Sequence, residues 1–245
     1  MSFLKAEWRN LAIANYVIDK EKLKSYVPFG TELDLRDGKC FVSLVGFMFK
    51  NTRILGMKIP FHINFEEVNL RFYVKRYADG EWKRGVVFIK EIVPRKAISL
   101  VANNVYNENY ETMPMSHKWL ENENHRTVEY KWRKSGVENL FRIKASLNQH
   151  KVQPNSETEF IVEHYWGYSY FNEKRSNEYE VTHPKWDIYK VIDYEIDVDF
   201  GLVYGKEFEF LNSMKPHSVL LAEGSEITVE SKKDVKTIQQ SLESH

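Results

Sequence analysis

Glu67, Asn69 and Arg71 occupy every second position of the run Phe65-Glu66-Glu67-Val68-Asn69-Leu70-Arg71-Phe72-Tyr73-Val74. Period-two spacing places them, with Tyr73, on one face of a strand, and gives Val68, Leu70, Phe72 and Val74 the other. A carboxylate, a carboxamide and a guanidinium on one face could bind a small polar molecule or move a proton. At the strand rise Glu67 and Arg71 lie about 13 Å apart, so each needs a cross-strand partner, a ligand or water. An interior face would make these charges site residues, and an outward face would make them ordinary solvated ones; the alternation leaves both open. Glu66 points away from Glu67, so the adjacent pair cannot work as two catalytic carboxylates.

Other side chains invite the same question. Tyr106 and Tyr110 are four apart and would share a helix face. With Met113 and Met115 beyond them, they could wall an apolar pocket or simply pack. His183, in His183-Pro184-Lys185-Trp186, could serve as an acid or base or could mark a structural turn. His164 lies in the most aromatic stretch, Glu163 to Tyr168. The lone Cys40 falls in a strand pattern with no neighbouring His and reads as core. No Gly-rich phosphate loop, Gly-x-Ser-x-Gly or His-Glu-x-x-His motif is present, and no two of the eight histidines have short metal-ligand spacing, so no metal or cofactor is expected.

The elements that must position these residues are mostly strands. Trp8 to Tyr16 predicts a strand, and Asp19 caps a short helix over Lys20 to Tyr26 that Pro28 stops. Thr31 to Leu35 and Lys39 to Lys50 flank Asp37-Gly38, a hairpin signal. Asn51 to Phe61 reads as a loop. Asn64 to Tyr77 and Trp82 to Val93 form the central pair. Pro94 then opens the one long helix expected, Arg95 to Tyr106. Further strands fall at Glu129 to Arg133, Leu140 to Leu147, Glu163 to Phe171, Ser176 to Val181 and Val191 to Phe200. Ser218 to Glu223 and Glu226 to Val229 predict a last hairpin around Gly224.

Composition bounds the function. Lys plus Arg equal Asp plus Glu at 35 each, so neither nucleic acid nor an anionic membrane is an expected partner. A single cysteine excludes an internal disulfide and suits a reducing compartment. No apolar leader or membrane-length run is visible, and a soluble cytoplasmic protein is expected. Aromatics at 14% suit strands and cavity walls.

Several segments carry a family resemblance. Trp8-Arg9-Asn10-Leu11, Leu23 to Asp34, Asp37 to Phe47, Glu67 to Val74, Gly85-Val86-Val87-Phe88, Tyr110 to Met115 and His183-Pro184-Lys185-Trp186 resemble, in order and spacing, the YqjF-like uncharacterised family, domain of unknown function 2071. The resemblance covers roughly Trp8 to Val229. That family looks related in fold to acetoacetate decarboxylase, which implies an α+β, β-rich, closed β-barrel with a few short helices and a small-molecule site inside it or at its mouth. The decarboxylase works through a Schiff-base lysine in a Pro-Lys-Lys segment after a helix. The comparable segment here is Asn107 to Thr112. Tyr110 stands about where the lysine would be, and Glu111 where its cationic neighbour would be. The decarboxylase mechanism is therefore not implied, and Lys90 and Lys96 are the nearest alternative amines.

Residues 1–230 are expected to form one barrel domain, and 231–245 a charged tail that is a marginal helix or disordered. The expected function is binding of a small organic ligand in the interior. The alternatives are an enzyme of unknown reaction on a small organic acid or carbonyl compound, without the Schiff-base lysine, and a protein-interaction scaffold. Ligand-binding candidates are Glu67, Asn69, Arg71, Tyr106, Tyr110, Met113 and His183. Homo-oligomerisation stays open.

Overall fold

Runs rich in Val, Ile, Phe and Tyr become strands here, as their χ1-restricted side chains favour. The computed structural model describes residues 2–60, 62–99, 103 and 107–236. Its strands are β1 (Leu4–Ile18), β2 (Glu32–Leu33), β3 (Cys40–Ile54), β4 (Phe65–Ala78), β5 (Glu81–Val93), β6 (Tyr110–Thr112) and β7 (Met115–Glu121). They continue as β8 (Arg126–Lys134), β9 (Val137–Lys151), β10 (Trp166–Asn172), β11 (Arg175–Thr182), β12 (Asp187–Asp197), β13 (Ser218–Val229) and β14 (Lys233–Lys236). No helix among the described residues is long and apolar enough to cross a membrane.

Strand pairing runs β11-β10-β5-β4-β3-β1-β13, and β13 pairs back onto β11 through Val229↔Val181 and Thr228↔Thr182. The path returns on itself as a ring. The earlier part of β13 pairs instead with β12, through Leu221↔Tyr189 and Ala222↔Ile188, and from β12 an arm continues through β9, β8 and β7. His183-Pro184-Lys185-Trp186 is the short link by which the chain leaves the ring at β11 and enters the arm at β12.

The alternation of the ring strands supplies two separate cores. Val68, Leu70, Phe72 and Val74 of β4 join Val42 and Leu44 of β3 and Tyr130, Trp132 and Phe141 of the arm. Phe65 and Tyr73 of β4 join Phe47 and Phe49 of β3, Leu11 of β1 and Trp186 in the other. The arm sits so close to β3 that a Cβ on Gly46 would lie 2.8 Å from the Tyr130 ring. Tyr130 completes the contact by donating its hydroxyl to the Asn10 carbonyl at 2.8 Å.

Several expectations are corrected. Only Glu32–Leu33 of the first expected hairpin arm is strand, and it pairs with β4, not with β3. Ser218–Val229 is one strand, with Gly224 at φ +82° opposite Arg9, where β1 bulges. Asp19 does cap Lys20–Tyr26, which is a 3-10 helix. Strand β7, the helix Glu157–Val162 and the helix Phe200–Tyr204 were not foreseen. The helix expected over Arg95 to Tyr106 is observed at Lys96–Ser99 and Asn103, with Arg95 just before it and not helical; residues 100–102 and 104–106 lie outside the described residues. Within the expected tail, Lys233–Lys236 forms β14 against β11.

Candidate functional site

The polar row of β4 faces inward. Glu67 is 2% exposed, Asn69 1% and Arg71 8%, and all three line a cavity of about 180 Å³ on the Phe47 and Phe49 side of the sheet. Most of the remaining wall is aromatic or aliphatic, including Trp8, Phe65, Phe88, Tyr110, Tyr179 and Trp186.

A β-bulge adds a second carboxyl group. Leu70 pairs with Lys90, but the next residue, Arg71, pairs with Phe88, so Ile89 is the extra residue of β5. Before it, Val86 and Phe88 line the cavity and Val87 and Ile89 enter the outer core; after it, Glu91 faces the cavity and Ile92 the outer core. One inserted residue has exchanged the faces of the strand. Asn109 holds the bulge, accepting from the Glu91 amide at 3.0 Å and donating its carboxamide to the Ile89 carbonyl at 2.8 Å. Lys90 consequently donates outside the cavity, to Glu111 at 2.8 Å and the Val203 carbonyl at 2.6 Å.

Tyr110, on β6, is set by a reciprocal pair: its amide donates to Asn103 Oδ1 at 2.7 Å, and Asn103 Nδ2 donates to its carbonyl at 3.0 Å. Its hydroxyl donates to Glu67 Oε2 at 3.3 Å, while Asn69 Nδ2 donates to Glu67 Oε1 at 3.0 Å. A third carboxyl, Glu108, accepts from the Tyr179 hydroxyl at 2.8 Å. The Tyr179 ring takes the space beside Gly167 that a side chain would otherwise fill.

Three carboxyl groups in one apolar cavity cannot all ionise cheaply. Burial pushes Glu67 up to about 7, against hydrogen bonds from Asn69 and Tyr110 and the charge of Arg71. Burial and the charge of Glu67 push Glu108 up to about 8, against the Tyr179 hydrogen bond. Glu91 is raised well above the usual carboxylate range by burial and then by Glu108 and Glu67. Burial holds His164 down to about 4, so its ring is neutral; Nε2 stands 3.6 Å from Asp34 and 3.4 Å from Arg84. Buried polar atoms without a partner among the described residues cluster on this wall: Trp8 Nε1, Thr52 Oγ1, Asn69 Oδ1, Arg71 Nε, Glu91 Oε2 and His164 Nδ1. Among the described residues no group of three or more His, Cys, Asp or Glu is arranged to hold a metal ion.

Residues 5–226 match the family model for DUF2071, described as an uncharacterized conserved protein. The chain belongs to the DUF2071 family. It is 33% identical over 72 residues to the uncharacterized protein YqjF of Bacillus subtilis (strain 168), a stretch covering 29% of this chain and 30% of YqjF. Among solved structures, acetoacetate decarboxylase from Legionella pneumophila matches with a TM-score of 0.64 at 12% identity, over 96% of this chain and 88% of that one. The enduracididine biosynthesis enzyme MppR with HEPES buffer bound matches with a TM-score of 0.67 at 10% identity, over 96% and 89%. MppR complexed with pyruvate matches with a TM-score of 0.64 at 11% identity, over 95% and 90%. These likenesses establish an acetoacetate decarboxylase-like fold for this DUF2071 chain.

Glu67, Asn69, Arg71, Tyr110 and His183 all line the cavity of the DUF2071 chain. His183 is stacked between Trp186, at 4.2 Å, and Tyr165, at 4.7 Å, and its Nδ1–H donates to the Pro184 carbonyl at 2.9 Å. Met113 is corrected: it is buried in the outer core and does not line the cavity. Tyr106 lies outside the described residues. Glu91, Glu108, Trp8 and Tyr179 were missed. Strict alternation assigns Glu91 to the wrong face, and Glu108 sits on a loop where no periodicity operates. No lysine is among the described lining residues, Lys96 is exposed, and none of the undescribed positions is a lysine.

Proposed function

We propose that this DUF2071 protein binds a small organic acid inside a closed β-barrel formed by its ring of strands, with Arg71 receiving the carboxylate. The observation that carries the reading is the Arg71 guanidinium itself. It is buried on the cavity wall, its Nε has no partner among the described residues, the Tyr73 ring lies 5.7 Å away, and Glu67 feels its charge without forming an ion pair with it among the described residues. A buried cation without an anion is costly, and the planar guanidinium fork matches a carboxylate. A volume of about 180 Å³ has room for several waters, which suits a small metabolite. Pyruvate bound to MppR, a protein of similar fold, supports the same class.

A thermal-shift series tests it: small carboxylic acids should raise the melting temperature, whereas their primary amides should not. If no acid in a varied panel shifts a well-folded protein, the reading fails.

A second reading, catalysis on an organic acid or carbonyl compound, is favoured by the proton affinities of Glu67 and Glu108. Held at about 7 and 8, these groups can give or take a proton near neutrality, with Tyr110 beside Glu67. Such a reaction would proceed without a lysine adduct. Wild-type turnover of a bound acid that Glu67→Gln abolishes would establish it.

A further inference from the structure

The orphaned atoms of the cavity are not all donors. Asn69 and Glu91 are direct partners in the β4–β5 ladder, and each buries an oxygen, Oδ1 and Oε2, without a hydrogen-bond partner among the described residues, although the Tyr110 hydroxyl lies near enough to act on the Glu91 carboxyl. Glu67 lies two residues from Asn69 on the same face and is tied to it by the Asn69 carboxamide. A carboxylic acid ligand seated on Arg71 supplies acceptors, so it satisfies the guanidinium and leaves these oxygens bare. Buried acceptors without a donor are costly, which points to a donor belonging to the ligand. An ammonium carries three N–H donors and a positive charge, matching two orphan oxygens and the nearby carboxyls. Aromatic rings around the cavity favour a cation further.

We infer that the ligand is a small amino acid with an apolar side chain: its carboxylate meets Arg71, and its ammonium meets Asn69 Oδ1, Glu91 Oε2 and Glu67. This rests on the organic-acid reading and extends it. Asn69 and Arg71 are two residues apart on one strand face, about 6.6 Å at the strand rise, and an α-amino acid carries its two charged groups on a single carbon. The side chain then points at the apolar wall of Phe47, Phe49, Trp8 and Trp186. Binding of the cation ionises carboxyl groups that are otherwise protonated, so protons are released. The groups facing the ammonium are Glu67, Asn69 and Arg71 from β4, Glu91 from β5, Glu108 and Tyr110 around β6, Tyr179 from β11, and His164 and His183.

The test is calorimetric titration of the full chain with matched sets: leucine, 4-methylpentanoate and 3-methylbutylamine, and phenylalanine, 3-phenylpropanoate and 2-phenylethylamine. An amino acid should bind at least about tenfold tighter than the acid of its set. Titration in two buffers of different ionisation enthalpy at pH 7 should show proton release for the amino acid and none for the acid. Glu91→Gln and Asn69→Leu should each narrow the ratio between amino acid and acid affinity. An acid that binds as well as its amino acid overturns this inference and leaves the organic-acid reading standing. Failure of every acid and amino acid to bind overturns both.

Discussion

Tyr179 lies directly across the β10–β11 ladder from Gly167, and a Cβ added at position 167 would stand 2.1 Å from its ring. That seat brings the hydroxyl to Glu108 at 2.8 Å. Gly167→Ala should therefore push the ring away and lower stability by about 1–3 kcal/mol through overpacking. Tyr179→Phe keeps the ring and loses the hydrogen bond, for a smaller loss of about 1 kcal/mol. Denaturant midpoints compare the two, and an unchanged midpoint in Gly167→Ala would show that the ring rests elsewhere.

Stability should fall as pH rises above neutrality. Glu67 and Glu108 titrate at about 7 and 8 in the folded chain against an ordinary 4.5, so between these values the folded state holds more protons than the unfolded state. Their stabilisation is complete below pH 4.5 and is lost as pH climbs through 7 and 8. His164 acts in the opposite sense: lowered from 6.5 to about 4, its contribution is present above pH 6.5 and lost as pH falls through 4. Above pH 6.5 the histidine is level and the carboxyls decide. The melting temperature should drop from pH 6.5 to about 8.5, and Glu67→Gln with Glu108→Gln should flatten the slope. A wild-type profile that rises across this range would contradict the assignment.

Arg71→Met separates binding from folding. Replacing an unpaired buried guanidinium with an apolar chain of similar length should be neutral or stabilising by about 0–2 kcal/mol. The same variant should lose acid-induced thermal stabilisation. Chemical denaturation and thermal shift on one preparation check both, and a loss of several kcal/mol would mean that Arg71 holds the wall together.

Borohydride treatment in the presence of a keto acid should leave every lysine unmodified, as read by peptide mass mapping. Lys90 is next in sequence to the lining residue Glu91, but the bulge at Ile89 turns it toward Glu111 and Val203. A trapped adduct on Lys90 or Lys96 would show that β5 adopts another register in solution.

Much of this was legible in the order of residues. The alternation from Phe65 to Val74 gave the two faces of β4, and the Asp79-Gly80 turn, with both residues at positive φ, gave its pairing with β5. Which face lies inside was not legible, because Val68 and Leu70 meet an apolar arm where the same pattern could have met an apolar interior. Glu91 escaped because a bulge depends on both strands of a ladder and leaves no periodic trace in either. Tyr110 was singled out by its place in the family pattern, whereas the Asn103 pair that fixes it joins two segments through side chains alone.

The shared edge of β13 also governs when the cavity can exist. Leu4 pairs with Val229 and Val181 pairs with the same residue, so both closing seams of the ring await the strand at Ser218–Val229. During synthesis the β4 row with Glu67 and Arg71 emerges more than a hundred residues before that strand, with no enclosed interior to receive it. Closure across such sequence separation is slow compared with local hairpin formation. The nascent chain thus carries its buried charges in water until the ring shuts, and the cavity is among the last features of the molecule to form.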